Sequence, residues 1–202
     1  SITATITVTS AGDALQGATI TNTSSFESVN LEGASLSGVS ITNTTFSDAK
    51  MSNANLTNAV ITSANFTSAN LSGATLAGAT ITGATFTAAS MNNADLSGAI
   101  LTSTVFTGSD LSGANLSGVD ASGASFANAK LNNVDMTGAN IANVNFTNTS
   151  IKGANIADVS FSPLQKLQLL KNSDNRDIGQ IIIPAVTGTT ILSAISETSP
   201  LR

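Results

Sequence analysis

The chain has 202 residues, within the size of one domain, and only 9% of them are charged. It contains no Cys, His, Trp or Tyr, which excludes disulfides and thiol chemistry and removes the commonest catalytic base. The net charge of −5 disfavours non-specific binding to nucleic-acid phosphates. No apolar run approaches the roughly 18 residues that span a bilayer, and the first residues lack the features of a signal peptide. We expect a soluble protein without a nucleic-acid or membrane partner, whose compartment the sequence leaves unknown.

The N-terminal segment, residues 1–25, predicts a β cap. Residues 2–9 alternate apolar and polar side chains, which is typical of a strand. The step from Ile20 to Phe26 is six residues, whereas the apolar residues that follow recur at intervals of five. The terminal unit of a repeat structure must shield its open core from water and from end-to-end stacking. We therefore expect the repeated body to begin at residue 26.

The next segment, residues 26–161, has an apolar side chain at every fifth position. Of these 28 residues, which we call the centres, only Ala121 is small. The residue two before each centre is always Ala, Val, Thr or Ser. The residue two after it is Gly, Asn, Ser or Asp in every repeat before Pro163, except at Ala88. A period of five fits neither an α-helix nor an extended strand, and turn-forming residues in each repeat predict a quarter-turn every five residues.

A second period of twenty residues indicates four repeats to each coil. Leucine, isoleucine and methionine centres also fall on like centres at this interval, which predicts seven coils and a rod about 34 Å long at a strand spacing of about 4.8 Å. Seven phenylalanine centres show the period most clearly and predict a single internal stack of rings: Phe26, Phe46, Phe66, Phe86, Phe106, Phe126 and Phe146.

The repeats resemble those of the pentapeptide-repeat family, whose motif is loosely Ala, then Asp or Asn, then Leu, then two variable residues. Residues 54–56, 69–71, 94–96 and 114–116 follow this motif, and residues 154–156 follow it with Ile at the centre. The resemblance implies an all-β fold, a right-handed quadrilateral β-helix with Phe and Leu centres stacked inside. It implies little about activity, because members share shape more than function.

The C-terminal segment, residues 162–202, predicts a capping helix and a hairpin tail. Ser162 is a good helix N-cap with Pro163 in the first turn, and the leucines that follow suggest a short amphipathic helix over the last coil. Residues 172–177 form a polar linker in this interpretation. Residues 181–186 and 189–195 read as two strands around a turn. These residues are too few for a core of their own, so they pack on the rod, on a second copy or on another protein.

Several apolar residues are candidates for contact with a protein partner. Three interrupt the polar exterior of the coils, and the rest lie in the predicted hairpin. We expect protein partners, or self-association, through residues 163–202. The candidate contact residues are Val60, Ile100, Val105, Ile181, Ile182, Ile183, Val186, Ile191, Leu192 and Ile195.

Catalysis is hard to build from these residues, and we expect no enzyme activity, small-molecule substrate, cofactor or bound metal. Asp95 and Asp135 share a face about 10 Å apart, with Asn115 between them, which allows a metal site but is better read as a solvated ladder. Asp110 and Lys130 should be stacked neighbours, and an exposed pair of this kind contributes at most about 1 kcal/mol.

Three functions remain open. The first is a non-enzymatic structural rod that docks into a larger assembly, with a virion component such as a minor capsid or decoration protein as the particular case. The second is a DNA-mimicking topoisomerase-binding protein, as some pentapeptide proteins are. Residues 26–161 carry eight acidic and three basic side chains, against roughly 20 charges on a DNA rod of that length. The third is an ice-binding protein, suggested by Thr80-Ile81-Thr82 and Thr85-Phe86-Thr87. Neighbouring coils interrupt this pattern with Val60, Ile100, Val105, Asn65 or Asp120.

Overall fold

The structure, a computed structural model, describes residues 17–21 and 25–175. Short parallel strands stack in the order β1-β2-β3-β4, and a helix and a 3₁₀ turn follow the coils. In the described part of the chain no helix is long and apolar enough to cross a membrane. The strand expected at residues 2–9 and the hairpin expected at 181–195 lie outside the described residues. The elements are β1 (Thr19–Thr21), β2 (Ser40–Thr42), β3 (Val60–Thr62), β4 (Thr80–Thr82), α1 (Pro163–Leu170) and the 3₁₀ turn Ser173–Asn175.

Parallel backbone pairing at an interval of twenty residues holds consecutive coils together. Asn65 pairs with Thr85, and Thr85 pairs with Val105. The N–H of Phe66 donates to the carbonyl of Thr85 at 2.7 Å, while the N–H of Thr85 donates to the carbonyl of Ala64 at 2.9 Å. The same pattern recurs on all four sides of the coil, so the chain forms a four-sided β-helix and the expected fold class is confirmed.

The core is a column of stacked side chains along the axis of the rod. Centres and the small residues two before them are buried, from Leu31 to Ile156. Five successive pairs of phenylalanine rings, from Phe26 to Phe126, stack with centroids 4.7–5.2 Å apart, and the last pair, Phe126 and Phe146, lies at 6.0 Å. Each stacked pair contributes about 0.5–1.5 kcal/mol beyond the area that it buries. Because the coil repeats every twenty residues, the same type of side chain recurs in each coil, and these side chains stabilise each other by stacking.

A left-handed residue makes the corner of each repeat. Every described residue two after a centre, from Ser28 to Asp158, has a positive φ between 49° and 72°. Glycine adopts this conformation without steric cost, and Asn, Asp and Ser can hydrogen-bond locally. Ala88 has neither advantage, yet its φ is 55° because the neighbouring repeats fix the bend.

Replacing Ala88 by Gly should stabilise the protein. A left-handed alanine is strained by about 1–2 kcal/mol, and the change removes this strain. Glycine also raises the conformational entropy of the unfolded chain, which offsets part of the gain. We expect a gain of about 0.5–1 kcal/mol in the free energy of unfolding, measured by urea denaturation. The neighbouring Ala89→Gly is the matched control, because Ala89 is buried and lies outside the positive-φ positions, and it should lower that free energy. A stability loss for Ala88→Gly would contradict the assignment of strain to this corner.

The stacked ladder begins earlier than the sequence predicts. Ile20 pairs in register with Ile41 and is only 3% exposed, so β1 belongs to the repeated body and the boundary expected at residue 26 lies inside the ladder. The additional residue between Ile20 and Phe26 does not displace Ile20 from its column, because burial of its side chain and pairing with Ser40–Thr42 select the same register.

The C-terminal end of the rod is covered by α1. Ser162 is its N-cap and forms a capping box with Gln165, and Pro163 lies in the first turn, as the sequence predicts. The ring of Phe161 lies 5.8 Å from the ring of Phe146 and is tilted by 47° against it. The expectation that the leucines cover the last coil is wrong for two of them: Leu164 is 64% exposed and Leu167 45% exposed. The buried positions of α1 are Gln165 and Leu169.

Candidate functional site

Many outward polar side chains of the rod are engaged in local hydrogen bonds. An Asn or Asp immediately before a centre accepts from the backbone N–H two residues further on, and often from a hydroxyl there as well. Asn65 accepts from the N–H of Thr67 at 3.0 Å and from its hydroxyl at 2.6 Å. Asp110 makes the same pair of contacts with Ser112. These side chains stabilise the turns of the rod, so their presence is explained without a ligand.

One side of the rod differs, and we call it the threonine face. All strands in the described part of the chain lie there, whereas the other three sides pair only through isolated bridges. The face consists of the residues flanking five successive centres, Ile20 to Leu101. The column before the centres is Thr19, Ser40, Val60, Thr80 and Ile100, and the column after them is Thr21, Thr42, Thr62, Thr82 and Thr102.

The three candidate contact residues on the coils fall on and beside this face. Val60 is 46% exposed and Ile100 is 42% exposed, and Thr80 pairs with both, so they lie two coils apart in one column. Val105 is half-buried on the adjacent side, where it pairs with Thr85 and Ser125. The structure thus places Val60 and Ile100 together and separates Val105 by a corner. The candidates from Ile181 to Ile195 lie outside the described residues, and contact with a partner stays a prediction for the whole set.

The column considered for a metal site is present, but its side chains serve the turns. Asp95 pairs with Asn115, and Asn115 pairs with Asp135. The carboxylate of Asp95 accepts from the N–H of Ser97 at 3.0 Å. Across residues 17–21 and 25–175 no three acidic side chains are grouped closely enough to hold a metal ion. The side chains of this column therefore accept hydrogen bonds within the turns of their own repeats.

Two carboxyl groups are held in their charged form by these turns. Burial alone would raise the pKa of Asp110, but the hydrogen bonds from Ser112 and the Lys130 ammonium, 3.4 Å away, lower that pKa below its ordinary value. The contact with Lys130 confirms the predicted stacked pair. The hydroxyl and backbone N–H of Thr137 lower the pKa of Asp135, against a small opposing effect of burial.

Replacing Thr137 by Val should raise the pKa of Asp135 towards its ordinary value, because one of the two donors is lost. A carboxyl group whose pKa is lowered by folding contributes stability above its unfolded pKa, and this contribution disappears as the pH falls through the folded pKa. The contribution of Asp135 is therefore complete at neutral pH and is lost only in acid, below its ordinary value of 3.8. Titration of the side-chain carboxyl carbon by NMR measures the shift. A pKa at or above 3.8 in the unaltered protein would contradict this account.

The end of the rod carries a second cluster, made of side-chain amides. Within the coils, the backbone of one residue pairs with two groups of the preceding coil. The carbonyl of Lys130 accepts from the N–H of the centre Leu111, and the N–H of Lys130 donates to the carbonyl of Ser109, two residues before that centre. At the last coil no further backbone is available. The amide of Asn175 takes that place, since its oxygen accepts from the N–H of Ile151 at 2.8 Å and its nitrogen donates to the carbonyl of Thr149 at 2.8 Å.

Two glutamines of α1 do the same on the adjacent side of the coil. The side-chain nitrogen of Gln165 donates to the carbonyls of Ile141 and Val144, and the side-chain oxygen of Gln168 accepts from the N–H of Phe146. An amide side chain has the donor and acceptor of a peptide group, so it can pair with an exposed strand edge.

The sequence interpretation missed this amide cap. Asn172 donates to the carbonyl of Asn148 at 3.0 Å, so it is not part of a linker. The expectation of a polar linker at residues 172–177 is therefore wrong for 172–175, because those side chains complete the ladder of the last coil. The signal in the sequence was the set of amide side chains between the last centre and residue 175: Gln165, Gln168, Asn172 and Asn175.

Replacing Asn175 by Asp tests the amide cap with almost no change of shape. The carboxylate cannot donate to the carbonyls of Thr149 and Leu169, which are both 2.8 Å from the present nitrogen. We expect a loss of about 1–3 kcal/mol in the free energy of unfolding, measured by urea denaturation. Asn58→Asp is the control, because Asn58 is an exposed corner residue, a position at which Asp48 and Asp158 already occur. Equal effects of the two substitutions would contradict the capping role.

A four-sided β-helix with five-residue sides is a solenoid, a repeat protein in which each unit contacts only its neighbours. The model for pentapeptide repeats matches residues 81–118, 99–138 and 122–158, and the model for a pentapeptide repeat region matches residues 19–96. The chain belongs to the pentapeptide-repeat family. No curated protein matches the sequence significantly.

Three solved structures illustrate the similarity. HetL from the cyanobacterium Nostoc, involved in heterocyst differentiation regulation, is 20% identical, with 73% of this chain and 86% of that chain covered and a TM-score of 0.41. A pentapeptide repeat protein of the Arabidopsis thaliana thylakoid lumen is 30% identical, covering 64% of this chain and 89% of that chain, with a TM-score of 0.43. The plasmid-mediated fluoroquinolone resistance protein QnrB1 is 18% identical, covering 67% and 74%, with a TM-score of 0.32. These scores are low, so the function is argued from the residues of this chain.

Proposed function

We propose that the protein is a non-enzymatic structural rod that docks into a larger assembly through its C-terminal end, with a virion, as a minor capsid or decoration protein, as the setting. The observation that carries this proposal is the outer side of α1. Leu164 and Leu167 are three residues apart on the helix and are largely exposed, at the end of a rod whose sides are mainly polar. Apolar side chains one turn apart on a helix form a typical contact strip.

The inner side of the same helix supports the proposal. Gln165 and Leu169 are buried and hold α1 on the last coil, so the outer leucines are presented on a fixed support. Burying two leucine side chains in a partner contributes about 1.5–3 kcal/mol each. The sequence that follows includes the apolar residues Ile181, Ile182 and Ile183, which are among the predicted contact residues within 163–202.

The low charge of the rod supports a structural role over DNA mimicry. Residues 26–161 have a net charge of −5, whereas duplex DNA carries about one charge per 1.7 Å of its axis. A mimic would need its carboxylates at comparable density. The Asn, Ser and Thr side chains that occupy most outward positions instead stabilise the turns.

The double variant Leu164→Ser and Leu167→Ser tests the docking surface. Both residues are exposed, so we expect the variant to fold, and Val60→Ser with Ile100→Ser is the matched control on the side of the rod. When virus particles that contain the protein are separated on a density gradient, the unaltered protein should sediment with them. Rebinding of purified protein to particles stripped of it should weaken at least about tenfold for the α1 variant, the loss expected from about 1.4 kcal/mol or more, and remain unchanged for the control.

Two results would overturn the proposal: the protein never sediments with particles, or the α1 variant rebinds as well as the control. Inhibition of topoisomerase supercoiling by the purified protein would replace the proposal with the DNA-mimic alternative. A chain truncated to test docking through the C-terminal tail must end after residue 177, because Asn172 and Asn175 belong to the amide cap.

A further inference from the structure

We propose that the threonine face binds ice, an activity separate from docking through α1. The sequence alone makes the hydroxyl pattern look interrupted at Val60 and Ile100. The structure shows that the interruptions fall in one column only. The neighbouring column is threonine in four successive strands, from Thr21 to Thr82, on the side that carries all the strands of residues 17–21 and 25–175, and Thr102 continues it in the turn of the next coil.

The face is a regular two-dimensional grid. Successive coils have the spacing of the phenylalanine stack on the adjacent side, where neighbouring centroids from Phe26 to Phe126 are 4.7–5.2 Å apart. The two columns are about 6.6 Å apart, since they are separated by two residues along each strand. The centres Ile41, Ile61 and Ile81 are fully buried between the columns, which fixes the backbone. A crystalline partner requires such a grid, because its own atoms repeat at fixed distances.

Nine of the ten side chains of the grid are branched at Cβ, and three of its threonines have free hydroxyls. Threonine, valine and isoleucine are branched at Cβ and have few χ1 rotamers, so the exposed groups are already ordered before binding. Within the described residues the hydroxyls of Thr62, Thr82 and Thr102 make no hydrogen bond. On another side of the rod, the hydroxyl of Thr57 is occupied by Asn55 at 2.6 Å. Free hydroxyls beside ordered methyl groups can hold water molecules at lattice positions.

Val60 and Ile100 stand where a threonine would continue the column, and they keep the exposed methyl groups of the face. Each residue keeps a β-branched methyl at the grid position while omitting one hydroxyl, and Thr80 between them keeps both groups. The column after the centres supplies a hydroxyl in each of these coils. The grid therefore continues as a surface of methyl groups over five coils, with hydroxyls in every coil.

Charge and area distinguish ice from other occupants. The ten residues of the threonine face are all uncharged, whereas Lys50, Asp110 and Lys130 lie in one column on the opposite side of the rod. An uncharged face has no complement for a charged partner. Five rows at about 4.8 Å and a width of about 10 Å give an area of about 240 Å², well below the roughly 800 Å² per partner of a stable protein–protein interface. A second copy of this chain is therefore a poor occupant, whereas a small, uncharged and regularly spaced face suits the surface of a crystalline solid such as ice.

The test is the adsorption of the purified full-length protein to a single ice crystal, together with inhibition of ice recrystallisation. The face variant is Thr62→Lys with Thr82→Lys, which places two charges on the grid. Its matched control is Ser72→Lys with Asn92→Lys, at equivalent positions on the opposite side of the same two coils. Circular dichroism confirms that both variants keep the fold, since all four residues lie on the surface.

We expect the unaltered protein to adsorb to ice and to slow recrystallisation, the face variant to lose at least tenfold in effective concentration, and the control to keep full activity. Failure of the unaltered protein to adsorb would overturn the proposal. Equal losses in the face variant and the control would also overturn it, because binding would then not depend on the threonine face. Neither result bears on docking through Leu164 and Leu167.

Discussion

The parallel backbone ladder is the constraint on which the rest of the structure depends. Each coil both donates to and accepts from its two neighbours, so a residue is held by pairing with residues twenty positions away on both sides. This register brings phenylalanine onto phenylalanine and isoleucine onto isoleucine, which turns a weak pairwise contact into a continuous core. It also fixes the corners in a left-handed conformation, whether the residue there is Gly83 or Ala88.

A ladder of this kind has an unsatisfied edge at each end, and the described C-terminal edge is closed in an unusual way. Backbone groups of the last coil are paired with the amides of Gln165, Gln168 and Asn175 instead of another strand. Closing the edge in this manner prevents a further coil from adding there. The amides face the rod while Leu164 and Leu167 face outward, so one short helix both terminates the ladder and offers an apolar surface.

The sequence predicts the repeated body well because each slot of the repeat has one physical role. Burial fixes the centre, and a positive φ restricts the residue two beyond it to a few types. The ends are harder, because the unpaired backbone of the last coil decides which side of α1 is buried. That edge favours Gln165 over Leu164, which is the opposite of what hydrophobicity alone predicts.

Features that distinguish the four sides of the coil could be predicted from the sequence only in part. The stacking of Asp110 on Lys130 follows from the twenty-residue period alone, and the structure confirms it. The threonine face was recognised only at Thr80-Ile81-Thr82, because the period does not tell which of the four sides forms extended strands and which form isolated bridges. That choice depends on the turn geometry of each repeat, and the five-residue pattern is the same on all sides.

The most direct measurement of the central claim is native-state hydrogen exchange of individual backbone amides. The N–H groups of Phe66 and Phe86 donate into the ladder at 2.7 Å, so we expect them to exchange only through global unfolding. The N–H of Phe146 donates to the side chain of Gln168 at the edge, and it should exchange faster, by local opening of the cap. The account predicts protection that repeats every five residues in the body and falls at Phe146. Uniform protection without that period, or an edge amide as protected as those of the interior, would contradict it.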